Sequence, residues 1–80
     1  MKSINVHYFA MLKDFSKVES EKLNVDCDNY LALYEFLQKK YQIDLPSNLI
    51  QVAVNDEFVQ MNDTVLENAK IVFIPPVAGG

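Results

Sequence analysis

Hydrophobic and polar positions alternate from Ser3 to Ala10. Ile4, Val6 and Tyr8 fall on one side of the alternation, and Asn5, His7 and Phe9 on the other. A period of two predicts a strand, here with an aromatic residue closing its second face. Ala10 to Phe15 predicts a short helical turn anchored by Met11, Leu12 and Phe15, and Lys17 to Glu21 is polar and reads as loop. Leu23 and Val25 alternate with Asn24 and Asp26, which predicts a second strand. Asp28 or Asn29 then caps a helix, because a short side-chain oxygen can accept from a free N–H of the first turn. Tyr30, Leu33, Leu37 and Tyr41 recur at spacings of three and four, and Phe36 is expected to widen that stripe. Lys39 and Lys40 lie off it and suit the negative end of the helix dipole. Asp44-Leu45-Pro46 ends the helical region.

The second half of the chain is strand-rich. Ile50 to Val54 predicts a strand, and Glu57 to Gln60 its hairpin partner. Asn55-Asp56 suits the two-residue turn between them, since both residues tolerate positive φ. Asn62-Asp63-Thr64 reads as a turn, with Val65 and Leu66 expected to be buried. Ile71 to Ile74 is continuously apolar, which predicts a central strand covered on much of both faces. Pro75-Pro76 stops it, because proline cannot donate to a ladder. The order is β-β-α-β-β-β with short helical turns between. One helix cannot cover two faces of a sheet. The simplest packing is an α+β domain with the helix on one face of a mixed sheet, and with the first and last strands side by side at its centre. That is the β-grasp, or ubiquitin-like, arrangement. Its other face would keep Phe9, Phe58 and Ile74 uncovered. The domain is expected to span residues 1–76, with residues 77–80 as a protruding tail.

Composition narrows the class. Eighty residues make one domain with a small core. Half of them are hydrophobic and 22% are charged, too apolar for a disordered chain. The single Cys cannot form an internal disulfide, which suggests a reducing compartment. No run reaches the roughly 18–20 apolar residues of a membrane span, and MKSINVHYF does not read as a signal peptide, so a cytoplasmic location is expected. Eleven carboxylates face seven lysines, with no arginine, for a net charge of −4. That charge disfavours nucleic acid and anionic lipid. It suggests protein partners that are basic where they meet the chain.

The last residues carry the candidate chemistry. The chain closes with Ile74-Pro75-Pro76-Val77-Ala78-Gly79-Gly80. Pro75 and Pro76 fix φ near −65° and favour an extended arm. Val77 and Ala78 are small. Glycine is common at frayed ends, and a bare Gly-Gly would say little. Here Gly79 and Gly80 are the chain's only two glycines. None serves an internal turn, and both sit where a backbone without Cβ could enter a narrow channel. Gly80 is expected to present a free α-carboxylate. A carboxylate becomes electrophilic only with a good leaving group, which an adenylate supplies. A β-grasp body with such an end reads as a carrier or a tag used through its terminus.

These segments resemble a known family. Val6-His7-Tyr8-Phe9-Ala10, Ala53-Val54-Asn55 and above all Phe73-Ile74-Pro75-Pro76-Val77-Ala78-Gly79-Gly80 are similar to the small subunits of molybdopterin synthase, ubiquitin-like sulfur carriers of molybdenum cofactor biosynthesis. The resemblance implies that an E1-like adenylating enzyme spends ATP to activate Gly80, and that a sulfur donor protein converts it to a thiocarboxylate. It implies that the tail, kept slim by Gly79, enters the large synthase subunit, where the sulfur attacks a cyclic pterin precursor. It further implies a heterotetramer in which the catalytic residues belong to the large subunit, and no cofactor held by this chain. Phe9, Phe58, Ile74, Pro75, Pro76, Val77 and Ala78 would then meet the partner. The family's Gly-Asp turn before the last strand is Asn68-Ala69 here, and an Arg of its first helical turn is Lys13, which cannot make a bidentate contact.

Other residues are weaker candidates. Cys27 is remote from the tail in sequence and has no second Cys beside it. His7 stands alone, without metal ligands at suitable spacing, and is expected to border an interface. Three rival readings remain open: a sulfur carrier for thiamine or thionucleoside synthesis, a ubiquitin-like modifier joined to lysines, and an interaction domain with an idle tail.

Overall fold

The computed structural model describes residues 1–76. Five strands and two helices follow in the order β1 (Lys2–Tyr8), α1 (Met11–Ser16), β2 (Ser20–Val25), α2 (Tyr30–Tyr41), β3 (Gln51–Val54), β4 (Glu57–Val59) and β5 (Lys70–Ile74), with a 3₁₀ turn at Ser47–Leu49. The sheet order is β2-β1-β5-β3-β4. β1 and β5 run parallel at its centre, and every other pair is antiparallel. This is the mixed β-grasp sheet expected from the alternation.

Ile4, Val6 and Tyr8 of β1 and Ile71 and Phe73 of β5 point to the same side and are buried. Tyr30, Leu33, Tyr34 and Leu37 of α2 lie over them and complete the core. Asn29 is the helix cap, its side-chain oxygen accepting from the Ala32 N–H at 2.8 Å. Gln42 turns left-handed at φ 54°, and the N–H groups of Gln42 and Ile43 both donate to the Gln38 carbonyl, closing the helix.

Four details differ from the sequence reading. β2 starts at Ser20, inside the segment read as loop, because Ser20 and Glu21 pair with His7 and Val6. Tyr34 takes the core position expected of Phe36, which is exposed. At about 100° per residue, Tyr34 falls about 20° from Tyr41 at one edge of the stripe of Tyr30, Leu33, Leu37 and Tyr41, whereas Phe36 falls about 60° beyond Leu33 at the other edge. The Tyr34 hydroxyl reaches the Leu45 carbonyl at 2.6 Å, so its burial leaves no orphan donor. Val65 is buried but Leu66 is exposed. β5 is covered on one face only, with Val72 and Ile74 half-buried on the other.

The hairpin between β3 and β4 turns through Asn55 at φ 51° and Asp56 at φ 71°, the pair of positive angles that a two-residue turn with matching twist requires. Asn68 likewise adopts φ 61° before β5. Ala10 is different. It precedes α1 with φ 54° and ψ −127°, a region that a Cβ disfavours strongly. Ala10→Gly is therefore expected to stabilise the fold by roughly 0.5–2 kcal/mol, the relieved strain exceeding the added freedom of the unfolded chain. A urea midpoint that stays put or falls would show that Ala10 is unstrained.

Candidate functional site

β5 runs parallel to β1, so both strands end at the same edge of the sheet. That edge is where the chain leads into its last residues. Ile74 still pairs with Gln51 of β3. Pro75 follows and is buried, and Pro76 is exposed. Lacking an N–H, Pro75 ends the ladder while its ring anchors the chain. Leu49, Gln51, Ile74, Pro75 and Pro76 line a shallow cleft of about 270 Å³ at this root. Leu49 and Gln51 were not among the residues singled out in the sequence. The usable signal was Pro46, which starts the 3₁₀ turn and leaves Leu49 exposed against the base of the tail. Val77, Ala78, Gly79 and Gly80 lie outside the described residues.

The sheet face away from α2 is uncovered. Its register brings His7, Val72, Ala53 and Phe58 into one row across β1, β5, β3 and β4. Phe58 is 71% exposed, and Phe9, next after β1, is 58% exposed. Three strand spacings separate the strands bearing them, roughly 14 Å. The two rings therefore do not touch but bracket the half-buried Val72 and Ile74. The structure thus groups Ile74, Pro75 and Pro76 at the tail root and sets Phe9 and Phe58 at the flanks of one apolar surface. Aromatic rings exposed around small apolar residues are characteristic of a docking face.

The remaining candidates sit elsewhere. Cys27 is half-buried beyond the far end of β2. Burial, with Asp26 and Asp28 beside it, pushes its thiol pKa up, which works against a thiolate nucleophile. His7 stands half-buried in the apolar row. Among the described residues, no group of three or more His, Cys, Asp or Glu is placed to hold a metal ion. Likewise, no helix there is long and apolar enough to cross a membrane. Among the described residues the densest polar cluster is structural: the Tyr8 and Tyr41 hydroxyls both donate to Glu21, with Lys40 alongside at 3.7 Å. It ties β1, β2 and α2 together on the side of the sheet opposite the apolar face. What the arrangement offers chemically is therefore presentation: a braced body, a stiff proline root and an apolar face beside it.

These features define a ubiquitin-like β-grasp domain. The chain belongs to the ThiS family, whose model matches residues 6–80. It is 29% identical over 80 residues to the molybdopterin synthase sulfur carrier subunit of Haemophilus influenzae, with 96% of this chain and 99% of that protein covered. Among solved structures, the small archaeal modifier protein 1 of Methanosarcina acetivorans superposes with a TM-score of 0.78 at 18% identity, covering 100% of this chain and 98% of that one. Subunits 1 and 2 of the molybdopterin-converting factor of Helicobacter pylori, solved as a protein–protein complex, include a chain matching with a TM-score of 0.64 at 23% identity, over 98% of this chain and 99% of that one.

Proposed function

We propose that this chain is the sulfur-carrying small subunit of a molybdopterin synthase and that Gly80 is the atom-bearing end. The observation that supports it most is the sequence run from Phe73 to Gly80, whose described part, through Pro76, leaves the sheet's central strand beside an uncovered apolar face. The family match extends through residue 80, and the Haemophilus relative, a sulfur carrier by name, is covered almost end to end.

The chemistry follows from the carboxylate. A Gly80 oxygen attacks the α-phosphorus of ATP on an E1-like enzyme, and pyrophosphate leaves. A sulfide equivalent from a donor protein then attacks the acyl carbon, and AMP departs with the oxygen. The product is a thiocarboxylate, a soft nucleophile. Inside the large subunit its sulfur attacks an electrophilic carbon of a cyclic pterin precursor as a bond from that carbon to oxygen breaks and the oxygen takes the electron pair. Water then cleaves the resulting thioester at its acyl carbon, returning the Gly80 carboxylate and leaving the sulfur on the precursor. The carrier's part is positional: a proline-stiffened arm limits the conformations to be lost when the terminus is seated. The large subunit docks on the apolar face, and a heterotetramer is the expected assembly; the two Helicobacter converting-factor subunits themselves form a complex.

The test is intact mass after incubation with a cognate adenylating enzyme, ATP and a sulfur donor. Replacement of one oxygen by sulfur on Gly80, followed by discharge onto the pterin precursor in the presence of the large subunit, is expected. Isopeptide-linked adducts instead would favour the modifier reading, which the likeness to the archaeal modifier keeps in view. Charging without discharge would point to another sulfur pathway. The docking face gives a second prediction. Phe58→Asp or Phe9→Asp is expected to weaken the complex with the large subunit at least tenfold, because a carboxylate must be desolvated where an aromatic ring was buried. Both residues are exposed, so the free chain should melt as before. Unchanged co-elution on a sizing column would remove this face as the interface.

A further inference from the structure

The strand register segregates charge. Side chains of β1 and β2 that face away from α2 pair as Ser3 with Asn24, Asn5 with Lys22 and His7 with Ser20. Asn5 in turn pairs with Lys70 of β5, so Lys22, Asn5 and Lys70 form one row. Asn5 is two residues from His7 on β1, so this row lies on the same face as His7 and Phe58. The only carboxylates borne by the strands, Glu21 and Glu57, pair with Val6 and Val54 and so project to the α2 side. The uncovered face thus carries two lysines and no strand-borne carboxylate, in a chain whose net charge is −4. Lys70 holds Asp56 of the hairpin turn at 3.2 Å, whereas Lys22 is exposed and makes no ion pair among the described residues. Along β1 this row lies four residues from Phe9, roughly 13 Å further from the tail root.

We infer that the large subunit presents an acidic patch opposite Lys22, so that the interface is apolar beside the tail and ionic at its far end. The inference rests on the reading of the chain as a synthase subunit. It runs opposite to what net charge alone suggests, a basic partner. An acidic partner is disfavoured by the net charge of −4, but on the face that bears the tail root it meets Lys22 with no strand-borne carboxylate beside it. Within a Debye length of about 8–10 Å, local charge governs the approach, so the separation selects orientation before contact. Lys22 is then an orienting residue: the apolar end supplies affinity, and the lysine fixes which way round the tail arrives.

The experiment compares Lys22→Glu with Lys39→Glu. Lys39 is exposed on α2, and each substitution changes net charge equally. Affinity and association rate for the cognate large subunit are measured at low and high salt. Lys22→Glu is expected to weaken binding about fivefold to tenfold at low salt, chiefly through the association rate, with the deficit shrinking as salt rises. Lys39→Glu should stay within about twofold, and Lys22→Arg should bind like the parent. Equal losses in both reversals, or none, would overturn the acidic patch while leaving the sulfur-carrier reading intact. Absence of any complex with the parent chain would overturn both. Circular dichroism of the variants excludes unfolding as the cause.

Discussion

A chain ending at Gly79 is expected to fold normally and to transfer no sulfur. The truncated chain still ends in a carboxylate on a glycine, so its intrinsic reactivity is unchanged. What changes is reach. One extended residue spans about 3.3–3.6 Å, and misplacing a reacting atom by about 1 Å can cost a hundredfold in rate. The root cannot compensate, because Pro75 is buried and Ile74 is held in the ladder to Gln51. A residue added after Gly80 fails in the opposite sense, carrying the carboxylate past the reacting position and, if it is not glycine, placing a Cβ in the channel. Losses of at least about 100-fold in single-turnover sulfur transfer are expected from both variants, with melting temperatures matching the parent. Retained turnover by either would mean that the terminal carbonyl is not the working group.

Most of the architecture is written in local patterns. The alternation of β1, a cap at Asp28 or Asn29 and the positive-φ pair Asn55-Asp56 depend on neighbours a few residues away. The turn falls at that pair, Asn29 is the cap, and β1 alternates as read but ends at Tyr8, before Phe9 and Ala10. What depends on distant partners is not readable that way. Ser20 and Glu21 look like loop until β1 supplies their pairing. Tyr34 and Phe36 are both aromatic, and only the helix's angular phase against the sheet, with Leu45 placed to accept the Tyr34 hydroxyl, decides which is buried. β5 reads as doubly covered because its apolar run is continuous, yet one helix can cover only one face. Val72 and Ile74 are apolar for another reason: they belong to the surface beside the tail root. The candidate site divides in the same manner. Gly80, Gly79, Pro75 and Pro76 stand out in the sequence because they are consecutive. Leu49 and Lys22 become visible only once the fold sets them beside that run or on that face.

Removing the carboxylate of Glu21 should destabilise this fold more than removing any other surface-reaching charge. Glu21 accepts from both the Tyr8 and the Tyr41 hydroxyls, whose rings meet edge to face at 5.8 Å. Tyr8 is 5% exposed, so without Glu21 its hydroxyl loses a carboxylate acceptor in a largely buried setting. An unsatisfied buried donor costs about 1–3 kcal/mol, and bonds to a charged acceptor contribute about 1.5–3 kcal/mol. Glu21 is 19% exposed and Tyr41 can regain water, which discounts the sum. Glu21→Ala is therefore expected to cost about 2–3 kcal/mol, a fall in melting temperature on the order of 10 °C or more for a domain this small. Glu21→Gln, which keeps an acceptor oxygen, should lose less than half of that. Burial alone would push the Glu21 pKa up, but the hydrogen bonds from Tyr41 and Tyr8, together with Lys40, outweigh it and hold the group below its ordinary range. A folded-state pKa below the unfolded value of about 4.3 means that the stabilisation is complete above that pH and fades as pH falls through the folded value. The stability gap between the parent and Glu21→Gln should accordingly be constant near neutrality and narrow below about pH 4. Denaturant titrations of the two proteins from pH 7 to pH 3 measure it, and a gap that widened with acid would mean that Glu21 is not held as the carboxylate by the two tyrosines.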